Sequence, residues 1–447
     1  MSAAFETTLP MELRGPRAST SGVLSLATVA AAAAALLVFV SGSFEAADVV
    51  GIKRPLEAIL VLPVLLAAAH YWVKRHLALI DALMCYVLVK TVVEIALRGE
   101  LTWILDDLAT VLALTVVYSV PRTSAVAGAK FLVATATAFA VMGIVQFCWL
   151  WVDPSLDRYG LYLANDNSIA NPVEHPIALL GMFTDEEYMV MGHVVHRFQS
   201  FTREPSLAVV YFLLPATLSF FLRGRAWILC GLVSLGFSIL TLAGSVFLSL
   251  AFGAAWWVVL RLVPIRIAFV YGLPAALASF MWTVTHYGLQ PLVQGITMVS
   301  QYGEFLSKGE SLRDRVGGAV LNLNNAIATP FGAREHPDIP GPWYINSVME
   351  GGWLCVVFLF FFLARLAKDV STLQQRVRSG SVVNFASVLL LGVLSTVVVF
   401  NDYQMSNYAG IVLLAFIHRM IRVRNLEQDE PEREPAIVAG PTASDRA

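Results

Sequence analysis

Long apolar runs separated by short polar punctuation make up most of this chain. Runs of about 18–22 residues are long enough to cross a hydrocarbon core as helices. They recur near 22–42, 55–73, 77–97, 103–120, 128–151, 205–222, 226–243, 245–262, 266–285, 344–364, 382–400 and 407–421. The pattern predicts an all-α polytopic membrane protein with about 12 transmembrane helices. The stretch from Ala226 to Leu262 is too long for one span, and Gly244-Ser245 is the expected break of a helical hairpin. Two long polar stretches, 152–204 and 286–343, interrupt the pattern and are expected to carry short helices. The transmembrane domain thus runs over 22–422, after a polar tail at 1–21 and before an acidic, Pro- and Ala-rich tail at 423–447 that reads as disordered. No internal repeat is visible.

Composition agrees with the pattern. The 447 residues are 57% hydrophobic and 14% charged, with a mean hydropathy of +0.69, values of a membrane protein and not of a soluble enzyme. Nothing resembles a basic nucleic-acid surface. Cys85, Cys148, Cys230 and Cys355 fall within or at the ends of apolar spans, lack CxxC spacing, and read as small buried hydrophobes. Arg14 and Arg17 ahead of the apolar run Val23–Val40 suit a signal anchor and first span.

Charge sets the orientation. With the N-terminus in the cytoplasm, inner loops receive Lys74, Arg75, Arg122, Arg223, Arg225, Arg261, Arg365, Lys368, Arg376 and Arg422, as the positive-inside rule requires. Both termini then lie inside and both long loops outside. The outer loops are nonetheless basic, with Arg158, Arg197, Arg203, Lys308, Arg313, Arg315 and Arg334. Long loops translocate largely regardless of charge, and an anionic ligand is the alternative reason for these cations.

Several residues could carry chemistry. Arg197 and Arg203 stand just before the sixth span, followed by Glu204-Pro205-Ser206. Proline suits the first turn of a helix and an acidic residue its positive end, so Glu204 is either a helix-start residue or the group that orients Arg203 or an acceptor hydroxyl. Arg313-Asp-Arg315 forms a second basic element, either a solvated surface or a phosphate grip. Arginine stays charged and binds phosphate oxygens bidentately. His336, in the same loop, is a candidate general base. His193 and His196 supply only two potential metal ligands, so no metal site is expected. Lys90, Glu94 and Arg98 recur every four residues as one polar stripe, with Asp106 and Asp107 as available partners. The stripe reads as an internal ion pair or as the lining of a cavity or ion pathway.

Three of these features resemble the O-antigen ligase and polymerase family of bacterial inner membranes. Arg197-Phe-Gln-Ser-Phe-Thr-Arg-Glu-Pro-Ser206 before a span is similar to the family's arginine element. Leu240-Thr-Leu-Ala-Gly-Ser245 is similar to its Leu-Thr turn. The third feature is arginine, an intervening helix, Thr329-Pro-Phe-Gly332, then Asn346 and Glu350-Gly-Gly352 leading into a span. The likeness covers about residues 190–365. It implies a multi-pass inner-membrane glycosyltransferase, cofactor- and metal-independent and inverting. Such an enzyme transfers undecaprenyl-diphosphate-linked oligosaccharide to an acceptor glycan or glycolipid at the periplasmic face, alongside a chain-length regulator or other assembly proteins. Arg197, Arg203, Arg313 and Arg315 would hold the diphosphate, and Glu204 or His336 would be the base. Ile345 stands where family ligases often have histidine, and Ser200 replaces a glycine, which favours a polymerase or other exopolysaccharide branch over a ligase. A flippase or a non-catalytic export component is the competing expectation, although no pair of broken spans occurs in matching positions.

Overall fold

The computed structural model describes residues 25–43, 53–74, 81–99, 101–152, 161–163, 175–178, 181–190, 193–200, 207–287, 322–323, 325–333, 342–376, 381–399, 405 and 407–429. Helices occupy each of the twelve expected positions. They are α1 (Leu26–Ser43), α2 (Lys53–Lys74), α3 (Ala82–Leu97), α4 (Leu101–Ser119), α5 (Arg122–Val152), α6 (Leu214–Phe221), α7 (Arg225–Leu240), α8 (Gly244–Val259), α9 (Leu273–Tyr287), α10 (Trp343–Arg376), α11 (Val382–Val399) and α12 (Tyr408–Asp429). Among the described residues, α2, α5, α10 and α11 are the helices long and apolar enough to cross a membrane. Helices α1, α6, α7, α8 and α9 are apolar but shorter, while α3 and α4 are interrupted by Lys90, Glu94, Asp106 and Asp107.

The core lies where helices are apolar all round, since such a helix has no face suited to water. Every residue from Leu207 to Leu222 is buried, which makes α6 and its preceding π-helical turn Val209–Leu213 an internal pillar. Helices α8 and α11 approach closely at Gly253 and Gly392, where a β-carbon on Gly392 would come 2.8 Å from the Gly253 nitrogen. Small residues permit this contact, and hydroxyls reinforce it. Ser249 donates to Thr396 at 2.9 Å and the Trp256 indole to Ser395 at 2.7 Å. By contrast, Ile59, Leu62, Val92, Ile95, Leu105, Leu229 and Trp257 are exposed, an apolar exterior suited to lipid.

Three expectations are corrected. Within 152–204, where short helices were expected, the described residues after α5 form a four-stranded antiparallel sheet: β1 (Leu161–Leu163), β2 (His175–Ala178), β3 (Gly181–Val190) and β4 (His193–Ser200), paired in sequence order. Its strands carry Tyr162, Phe183, Tyr188, Val190, Val194, Val195 and Phe198, residue types that suit strands. The hairpin break falls at Thr241–Ala243, ahead of Gly244, with Leu242 in the left-handed region at φ 51°; the Thr241 hydroxyl donates to the Ser238 carbonyl at 2.7 Å and caps α7. Helix α12 continues through Asp429, beyond the expected boundary at 422. The Glu427 carboxylate explains the extension, because Arg122, Arg223 (2.8 Å) and Arg424 (4.0 Å) surround it. The tails at 1–21 and 430–447 lie outside the described residues.

Candidate functional site

The polar stripe of α3 meets α4, α10 and the end of the second long loop in one buried layer. Residues Lys90 and Glu94 are 3% and 0% exposed, a depth at which charges need partners. The Lys90 ammonium lies 3.5 Å from Asp107 and 3.6 Å from Glu350, joining α3 to α4 and α10. The Thr91 hydroxyl donates to Asp107 at 3.2 Å. One turn on, Arg98 pairs with Glu94. Its Nε donates to the Ala333 carbonyl at 3.1 Å and its Nη2 to the Met349 carbonyl at 3.1 Å. The expected stripe and its Asp107 partner are thus present as buried ion pairs. Asp106 is exposed instead.

The start of α10 is sharply bent. Gly352 has φ 73° and ψ −179° within an otherwise helical segment, a conformation that excludes most side chains. The contacts with α3 reverse around it. Before the bend the Trp343 ring lies edge-on to Tyr86 at 6.4 Å, the Ser347 and Tyr86 hydroxyls are 3.2 Å apart, and Met349 reaches Arg98. After the bend, the Cys355 thiol donates back to the Tyr86 carbonyl at 3.5 Å. Contacts therefore climb α3 from Tyr86 to Arg98 and then return to Tyr86. Residues 343–351 and 353–376 form two limbs folded along the same helix. All residues from Pro342 to Gly352 are buried, including Asn346, Ser347 and Glu350.

The Thr329-Pro-Phe-Gly332 element caps this bend. Ala333 N–H donates to the Met349 carbonyl at 2.8 Å, and Trp353 N–H donates to the Pro330 carbonyl at 3.0 Å. Gly332 (φ 106°) lets the backbone pass α3, since a β-carbon there would lie 2.7 Å from Val93. A β-carbon on Gly352 would lie 2.8 Å from the Pro330 carbonyl oxygen. The two glycines allow two backbones and α3 to meet where any side chain would separate them. Beneath the cap, the Trp343 Nε1 and the Tyr344 hydroxyl are buried without a hydrogen-bond partner among the described residues.

Of the residues expected to carry chemistry, Arg197 falls on β4, its backbone in register with Thr184 of β3. Arg203, Glu204, Arg313, Arg315 and His336 lie outside the described residues. His193 and His196, also on β4, pair in register with Val190 and Glu187. Among the described residues no group of three His, Cys, Asp or Glu side chains could hold a metal ion. Sequence reasoning missed Glu350 as the second partner of Lys90, and the part played by Tyr86. An acidic residue beside Gly-Gly at the head of an apolar run was a signal for the first; nothing marked the second. The chain matches no protein-family model, no curated protein and no solved structure.

Proposed function

We propose that this protein is an inner-membrane glycosyltransferase with about 12 spans that polymerises or ligates undecaprenyl-diphosphate-linked glycan units at the periplasmic face, with both termini in the cytoplasm. The observation that carries the reading is the cap itself. Thr329–Ala333, the bend at Gly352 and the charged end of α3 form one unit, and the first two of these pieces are parts of the third of the sequence features that resemble the ligase and polymerase family. In the proposed reaction a hydroxyl of the acceptor attacks the anomeric carbon and the sugar–phosphate bond breaks. The electron pair leaves with the lipid diphosphate. Arg197, Arg203, Arg313 and Arg315 stabilise that developing charge, and Glu204 or His336 takes the hydroxyl proton. The partners are the lipid-linked donor, an acceptor glycan or glycolipid, the bilayer and other assembly proteins; no metal or cofactor takes part.

A second reading, a flippase for the same lipid-linked units, draws support from the buried Lys90–Asp107–Glu350 layer, because intramembrane charge commonly marks a transport pathway. One experiment separates them. Arg197, Arg203, Arg313 and Arg315 are replaced singly by alanine, membrane expression is confirmed, and polymer and lipid-linked units are measured in cells. Loss of polymer with units accumulating outside is expected. Units trapped inside would favour the flippase, and normal polymer from all four variants would end the enzymatic reading.

A further inference from the structure

We infer that the turn between α6 and α7, with the start of α5 and the end of α12 beside it, binds the headgroup of an anionic phospholipid. The site lies outside the Lys90–Arg98 layer, and the inference does not depend on the proposed glycosyl transfer. Helix α6 ends at Phe221 and α7 begins at Arg225. Between them Gly224 has φ 114°, a conformation that favours glycine. The tight turn puts Arg223 and Arg225 side by side, both exposed. No acidic residue in the first turn of α7 offsets them, and Arg225 pairs with no carboxylate among the described residues. The Trp227 ring packs against the turn, since a β-carbon on Gly224 would lie 3.6 Å from its Cδ1. The Lys130 ammonium of α5 stands over the same ring, 5.7 Å from its centroid.

Arg223 also reaches Glu427, at 2.8 Å, which it shares with Arg122 and Arg424. Three guanidiniums from three separate segments thus converge on one carboxylate, while Arg225 and Lys130 add further positive charge. Burial, and then the Arg223 charge, lower the pKa of Arg424, as happens when cations crowd beyond their local counter-charge. Orientation in the membrane requires only that basic residues lie near this end, not that they converge. Like charges repel unless an anion lies among them.

The surroundings make that anion a lipid. Leu229 and Leu232 follow Arg225 on the same face of α7 and are 63% and 51% exposed, so apolar surface for acyl chains adjoins the cations directly. Trp227 stands between the two, at the level that tryptophan favours in a bilayer. Arg261 repeats the pairing at the return end of the α7–α8 hairpin, 4.3 Å over the Trp257 ring. A soluble anion would meet only the cationic half of this surface, whereas a phospholipid meets both. Guanidiniums grip phosphate oxygens bidentately, and the surplus of cations suits the two phosphates of cardiolipin better than a single one.

Native mass spectrometry of the purified full-length protein tests this, with cardiolipin, phosphatidylglycerol or phosphatidylethanolamine added at equal concentration. Cardiolipin should bind at least about tenfold more tightly than phosphatidylethanolamine, with phosphatidylglycerol between them. Arg225→Gln should weaken cardiolipin about fivefold, and Arg223→Gln with Arg225→Gln at least about tenfold. Glu427→Gln removes the competing carboxylate and should tighten binding about fivefold. Arg261→Gln with Arg266→Gln removes as much charge elsewhere and should change binding by less than about twofold. Arg225 is exposed and unpaired, so its single variant decides the matter if the double variant fails to fold.

Equal binding of cardiolipin and phosphatidylethanolamine would overturn the inference, because no headgroup is then recognised. An Arg261 and Arg266 variant as weak as the Arg223 and Arg225 variant would overturn it too, leaving a merely basic face. Displacement of cardiolipin by inorganic phosphate at about ten times the lipid concentration would assign the turn to a free anion instead.

Discussion

The Lys90 ammonium lies 3.6 Å from the Glu350 carboxylate, tying the middle of α3 to the residue just before the paired glycines of α10. The same ammonium lies 3.5 Å from Asp107, so one cation holds three helices together. Removing one member of a buried ionic group strands the others, whereas neutralising the whole group removes the cost of burying charge. Lys90→Met is therefore expected to destabilise the protein by about 3–5 kcal/mol. The triple variant Lys90→Met, Asp107→Asn, Glu350→Gln should regain most of that loss. Thermal unfolding in detergent measures both.

The bend gives a second expectation. Gly352→Ala forces a β-carbon into the left-handed region and to within 2.8 Å of the Pro330 carbonyl oxygen, and should cost at least ~1–3 kcal/mol. Gly244→Ala is the control, with open space around its β-carbon and a position in the first turn of α8; its effect should be neutral or stabilising by up to about 1 kcal/mol. Parallel melting curves decide the pair.

Tyr344 offers a change in the opposite direction. Its buried hydroxyl has no hydrogen-bond partner among the described residues, and an unsatisfied buried polar group is a net cost. Tyr344→Phe should raise stability by roughly 1 kcal/mol. A fall in the melting temperature would mean that the hydroxyl has an acceptor in the working protein, and a fall in polymer alone would identify that acceptor as part of the substrate complex.

At the other end of the molecule, Glu427 gathers Arg122, Arg223 and Arg424. These groups are partly exposed, so Glu427→Gln should shift global stability by no more than about 1 kcal/mol. Its effect should appear locally, as faster tryptic cleavage at Arg422 and Arg424 with the melting temperature almost unchanged. Equal cleavage rates in both proteins would remove Glu427 as the clamp on the last turns of α12.

The helices and their positions were legible in the sequence because length and hydrophobicity are local properties of each run. The four-residue repeat of Lys90, Glu94 and Arg98 likewise fixed a common helical face, and nearby Asp107 was available as a partner. The third sequence element could be recognised, but not its shape: Gly351-Gly352 does not state which glycine bends or that the chain folds back on α3. The sheet within 152–204 was missed since short strands take their stability from cross-strand pairing, which no single segment displays. Glu350 as partner to Lys90, and the Ala333 and Met349 carbonyls as acceptors for Arg98, were decided by tertiary structure alone. Buried charges and backbone groups must be satisfied by whatever packs against them, and that neighbour comes from the far side of the chain.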